Sequence, residues 1–149
     1  MSEETQLQAP PTITIEDNKY LIDDLSERAK LLVSDLYRTS MEYNELYRSY
    51  NQSVTLTNTY ASGLKGEVEK ADLPEKTEDS DSSITIDDKS YDGSDLPDTV
   101  KAYIDELVRA NKNRYGLEFR LRQLDAAKST YIASIKEDVE NSDDIQTVE

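Results

Sequence analysis

The chain of 149 residues carries a formal net charge of −15, and with 36% apolar residues, no Trp, one Phe and ten Tyr it can build only a thin core. Without Cys it has no disulfide staples or thiolate metal sites, and without His it lacks the usual zinc ligand and the side chain best suited to proton transfer near neutral pH. No apolar run approaches the roughly 20 residues that span a bilayer, and the acidic opening Met1-Ser2-Glu3-Glu4 is unlike a secretory signal, so the expected location is a cytoplasm or a virion rather than a membrane or an exported fluid.

Residues 1–12 are acidic and aperiodic and read as a disordered tail. From residue 13 the chain is duplicated: residues 13–69 align without a gap on 84–140 at a constant offset of 71, with 17 of 57 positions identical. The match opens with Ile13-Thr14-Ile15 against Ile84-Thr85-Ile86. It continues through Tyr20/Tyr91, Asp24-Leu25/Asp95-Leu96, Lys30/Lys101 and Leu36/Leu107, and closes with Thr59-Tyr60/Thr130-Tyr131, Lys65/Lys136 and Val68-Glu69/Val139-Glu140.

In each copy the alternating Ile-Thr-Ile, a short polar turn and a Tyr predict a β-hairpin. A helix is expected next, with Asp24 or Asp95 as its capping acid and Pro97 tolerated in the first turn. Its apolar stripe is Leu25, Ala29, Leu32, Val33, Leu36 in the first copy and Leu96, Val100, Tyr103, Ile104, Leu107 in the second. Polar residues at Thr39-Ser40 and Asn111-Lys112-Asn113 then mark the expected turn, although neither stretch contains Pro or Gly and one long kinked helix stays open. A second stripe follows, Leu46, Tyr50, Ser53, Tyr60, Leu64, Val68 and Leu117, Leu121, Leu124, Tyr131, Ile135, Val139.

Two stripes in succession imply an antiparallel helical hairpin in each copy. The expected fold is therefore mostly α within the α+β class: two tandem ββαα modules, 13–69 and 84–140, joined by an acidic linker 70–83 and followed by an acidic tail 141–149. The tails and linker hold eight of the fifteen net charges, which leaves the modules only mildly acidic.

The hairpin motif, Asp24-Leu25-Ser26 or Asp95-Leu96-Pro97 after it, and Ala127-Lys128-Ser129-Thr130-Tyr131 in the late helix resemble a group of small proteins of unknown function from marine cyanobacteria and cyanophages. Members carry one copy of the unit, and each copy here covers essentially all of it. The family's turn Gly is Asn18 or Lys89 here, and Leu56-Thr57-Asn58 stands where Ala-Arg is expected. The resemblance implies a phage or cyanobacterial origin and no active-site residue.

Catalysis finds little support. Asp88, Asp92 and Gly93 occupy positions 1, 5 and 6 of a calcium-loop pattern, but position 12 is Thr99 rather than Glu. Asp23/Asp24 and Asp87/Asp88 are adjacent acids on an exposed turn, where nothing separates their pKa values. No catalytic, cofactor-binding or metal-binding residue is assigned, no cofactor is expected, and neither nucleic acid nor a small molecule is an expected ligand. Arg109, Lys112, Arg114, Arg120 and Arg122, interleaved with Tyr115 and Phe119, read as a solvated or salt-bridging face in so acidic a chain.

Tyr43, Tyr47 and Tyr50, at i, i+4 and i+7, share a helical face and are the candidate partner-binding residues. The expected function is a non-enzymatic structural or adaptor protein, a phage virion or accessory component, that contacts another protein or itself. The alternative is an acidic nucleic-acid mimic that inhibits a DNA-binding host protein.

Overall fold

A computed structural model describes residues 10–77 and 81–149. In chain order these form strands β1 (Thr12–Ile15) and β2 (Asn18–Leu21), helix α1 (Glu27–Ala71), strands β3 (Ser83–Ile86) and β4 (Lys89–Asp92), helix α2 (Asp98–Glu140) and strand β5 (Thr147–Val148). The fold is mostly helical, with two long helices and small antiparallel sheets.

Both hairpins close through the short polar turns expected from sequence. Ile15 pairs with Asn18 and Ile86 with Lys89, so only two residues lie between the strands. Asp87 and Asp88 both adopt positive φ, 51° and 64°, as a type I′ turn demands, and Glu16 does so in the first hairpin at 55°. A short 3₁₀ turn follows each hairpin, Ile22–Asp24 and Gly93–Asp95, and displaces the helix start beyond the acids expected to cap it. Ser26 is the cap of α1, its hydroxyl accepting the Ala29 N–H at 3.0 Å. Pro97 stands directly before α2, where its missing N–H costs nothing.

The expected break inside each helical segment does not occur. Thr39-Ser40 lies within α1 and Asn111–Asn113 within α2, and each helix runs unbroken through its polar stretch. Neither stretch contains Pro or Gly. Ser and Thr elsewhere in these helices turn their hydroxyls back onto the preceding turn, as Thr57 Oγ1 does to the Ser53 carbonyl at 2.8 Å, so polarity here does not interrupt the ladder.

A continuous helix cannot fold back to cover its own stripe, and the helical pairing is accordingly made between the copies. The described residues divide into two compact units, one of residues 10–45 with 121–149 and the other of residues 46–77 with 81–120. In the first unit Leu25, Ala29 and Val33 pack with Ile135 and Val139, beneath Ile15. In the second, Leu96, Val100 and Ile104 pack with Leu64 and Val68, beneath Tyr91 and Ile86. These are the same positions at the offset of 71. Each core thus takes its hairpin and first helical half from one copy and its closing half from the other.

The turns are tied down in the same exchanged way. Lys136 Nζ meets Glu16 Oε1 at 2.6 Å in the first unit, and Lys65 Nζ meets Asp87 Oδ2 at 3.6 Å in the second. The Glu16 carboxylate holds the Lys136 ammonium above its ordinary value, through their hydrogen bond first and their charges second.

The expected linker and C-terminal tail also contribute to the fold where they are described, while residues 1–9 of the expected N-terminal tail and 78–80 of the linker lie outside the described residues. Residues 70–71 end α1, Leu73 packs on the second core, and the Lys76 N–H donates to the Ser90 carbonyl at 2.7 Å. In the first unit Ile145 packs on the core and β5 pairs antiparallel with β2, Val148 opposite Lys19 and Thr147 opposite Tyr20. Lys19 and Ser90 are equivalent at the offset of 71, so in both units the chain leaving a long helix returns to the open side of a hairpin. Covering an edge strand in this way removes a row of unpaired backbone groups.

Replacing Ser40 by Pro distinguishes one helix from two. A Pro in a helix interior costs about 3 kcal/mol or more, whereas a turn would accept it. Chemical unfolding of Ser40→Pro is expected to show a loss of that size, and a loss below about 1 kcal/mol would indicate a turn.

The linker contact supplies a pH test. Hydrogen bonds from the Ser94 hydroxyl and then the Ser94 N–H, followed by the Lys76 charge, hold the Asp92 carboxyl below its ordinary value. A depressed carboxylate stabilises the fold above its unfolded pKa and loses that contribution as pH falls through the folded one. The Ser94 amide resonance is therefore expected to move only at pH below the ordinary carboxylate value of 3.8, and Ser94→Ala should raise the midpoint of the Asp92 titration.

Candidate interaction surface

The three tyrosines expected at a partner face lie on α1 but not in one compact unit. Tyr43 belongs to the first, half-buried, with the Lys128 ammonium 4.6 Å from its ring centroid. Tyr47 and Tyr50 belong to the second, their ring centroids 6.4 Å apart and the ring planes 29° from parallel. Tyr47 is exposed and Tyr50 half-buried.

More apolar side-chain surface lies open on α2. Val108, Tyr115 and Phe119 are 62%, 59% and 58% exposed, and their spacing of i, i+7 and i+11 brings them to one face within the second unit. Lys112, one turn after Val108, is exposed on the same face. The Arg114 guanidinium lies 4.9 Å from the Tyr115 ring centroid, and its Nε is buried without a hydrogen-bond partner among the described residues. Arg109 Nη1 pairs with Glu106 at 3.1 Å. The stretch read as a solvated or salt-bridging face thus contains this pair, and its aromatic rings are presented to solvent.

The first unit shows the equivalent face of α1. Tyr37, equivalent to Val108, is 57% exposed, and Met41, equivalent to Lys112, is 71% exposed. Sequence reasoning passed over these residues because apolar residues are ordinarily assigned to a core. The signal that could have found them is that residues 37 and 41 lie off the stripe of Leu25, Ala29, Leu32, Val33 and Leu36, as do 108 and 115 off its counterpart. A stiff helix presenting apolar side chains loses little conformational entropy when they are covered, which suits it to binding another folded surface.

The second unit also contains an open cleft of about 400 Å³ floored by Ala61, Leu64, Ile86 and Leu107, with Lys65 and Asp87 among its polar lining. At the position of Ala61 the other copy has Ile132. The Asp92 carboxylate of the calcium-like pattern is engaged by Ser94 and Lys76. Among the described residues no cluster of three or more His, Cys, Asp or Glu side chains could hold a metal ion, and no helix is long and apolar enough to cross a membrane.

No protein-family model matches the chain, and neither the curated proteins nor the solved structures contain a match to it.

Proposed function

We propose that this protein is a non-enzymatic structural or adaptor protein that acts through protein–protein contacts made by the outer faces of its long helices. The observation that carries the reading is the exposed row Val108, Tyr115 and Phe119 on α2. Aromatic side chains held on a rigid element are characteristic anchors of protein interfaces, and two of them in line with an exposed Val on one face exceed what scattered surface residues supply. Its partner is another protein or a second copy, and it acts without a cofactor. The resemblance to cyanophage and cyanobacterial proteins directs the search to virions, as structural or accessory components, and to the cytoplasm of an infected host.

Cross-linking mass spectrometry on purified particles and infected-cell lysate, with the full chain tagged, tests this. The expected result is one protein neighbour at stoichiometric amount, cross-linked near residues 108–119. The double substitution Tyr115→Ser with Phe119→Ser is expected to lower its recovery at least tenfold, as loss of two aromatic anchors costing roughly 2 kcal/mol or more would. Recovery unchanged by that variant, or a chain with no protein neighbour in either preparation, would overturn the reading.

A further inference from the structure

Each hairpin turns backbone groups outward on both of its strands. Two residues join β3 to β4, so Ile86 and Lys89 form a hydrogen-bonded pair, and the next pair, Thr85 opposite Ser90, directs its N–H and C=O groups away from the ladder. The Gly93 N–H donating to the Ser82 carbonyl at 2.8 Å continues the same alternation. On the second strands these outward groups meet an extended segment of the chain. Lys19 lies opposite Val148 of β5 in the first unit, and the Ser90 carbonyl accepts from the Lys76 N–H at 2.7 Å in the second. Among the described residues no strand pairs with the outer side of β1 or β3.

At β3 this edge meets the cleft of about 400 Å³, whose lining includes Thr85 and Ile86 together with Ala61, Leu64 and Leu107. All of these residues belong to the second unit. In the first unit Ile132 stands at the place of Ala61, and Ile15, the counterpart of Ile86, is 5% exposed whereas Ile86 is half-buried. The second unit thus has an open strand edge and, beside it, an apolar hollow where the other unit carries a branched aliphatic residue.

We propose that the outer edge of β3 binds an extended peptide segment of another protein, which adds to the sheet as a third strand and seats a Val or Ile side chain in the cleft over Ala61. This partner is independent of any met by the exposed row on α2. Two observations name the occupant. The outward N–H and C=O of Thr85 call for a main chain with free groups of its own, which an extended strand offers and a helix, paired internally, does not. The floor of Ala61, Leu64, Ile86 and Leu107 calls for an aliphatic side chain. Side chains alternate along a strand, so the neighbours of the seated residue point away from the cleft and suit Thr or Ser. The Lys65–Asp87 pair at the rim, 3.6 Å apart with both side chains more than half exposed, presents both signs of charge and sets no demand for a charged segment. β3 has four residues and the chain turns away at Asp87, whose φ is 51°, so the added strand is short and its affinity modest.

The full chain, isotope-labelled for NMR, tests this by titration with an acetylated and amidated hexapeptide of alternating Thr and Val. Saturable shifts of the Thr85 and Ile86 amide resonances are expected at millimolar peptide, the weak end of specific binding. Ala61→Ile puts the other copy's residue into the cleft, at a place where the fold already carries it, and is expected to weaken binding roughly tenfold. The same hexapeptide methylated at every peptide nitrogen keeps its side chains and loses its main-chain donors. It is expected to bind more weakly by a similar factor.

Absence of a saturable shift at Thr85 up to about 10 mM peptide would overturn the proposal. So would undiminished binding by an Ala61→Ile chain of native helix content, checked by circular dichroism, or undiminished binding of the methylated peptide to the unaltered chain. Shifts confined to residues 108–119 would sink it as well, and would leave the reading of the α2 face standing.

Discussion

An amphipathic helix must bury its apolar stripe, and one without a break cannot use its own second half to do so. From this constraint follows most of what distinguishes the molecule from two modules in tandem. Because α1 and α2 run unbroken, Ala29 and Val33 find Ile135 and Val139 of the other copy, while Val100 and Ile104 find Leu64 and Val68. The duplication is therefore what completes each core, since neither copy contains a covering half for its own first helical turns. The hairpins then seal the exchange, each turn residue reaching a Lys on the helical half contributed by the other copy.

Exchange also changes how the two cores can drift apart. A core position in one copy packs against the other copy, so a change in size must be compensated across the offset rather than within it. Tyr103 shows this. It stands where the other copy has Leu32, and its ring lies over Gly63, where a Cβ would come within 2.5 Å of the ring. The position equivalent to Gly63 is Ser134. The larger ring is thus matched by the removal of a side chain opposite it, at the cost that Gly carries in a helix interior, roughly 1 kcal/mol relative to Ala. Polar locks have drifted too: Ser26 donates to the Asp138 carboxylate in the first unit, but Pro97 and Glu67 at the equivalent positions offer no such bond in the second.

Much of the local structure was legible because it rests on local chemistry. The Ile-Thr-Ile alternation gave strands, and the stripes at Leu25, Ala29, Val33 and at Leu96, Val100 gave the helical face that is buried. A stripe states which face is covered and is silent about what covers it, so the partner of each helix was not legible. The polar stretches were misleading for a related reason. Thr39-Ser40 and Asn111–Asn113 are helical because nothing in them breaks the ladder, and absence of a breaker is a weaker signal than a Pro or Gly. The roles of residues 72–77 and 145–148 were hidden by composition, since a few anchoring residues, Leu73, Lys76, Ile145 and Val148, are enough to dock otherwise acidic segments. Of the candidate surface, the tyrosines of α1 were visible as a helical row, whereas Val108, Tyr115 and Phe119 became informative only through their exposure.

The same constraint separates residues that are bound to one another from residues that are free to change. Positions such as 64, 100 and 135 are held by partners across the copies, and their exchanges stay apolar: Leu64 for Ile135, Val33 for Ile104, Val68 for Val139. The outer faces of α1 and α2 carry no such reciprocal demand. There Met41 stands against Lys112 and Glu45 against Gly116. A duplicated chain whose copies complete each other's cores therefore keeps two equivalent scaffolds under joint restraint while their outer surfaces diverge.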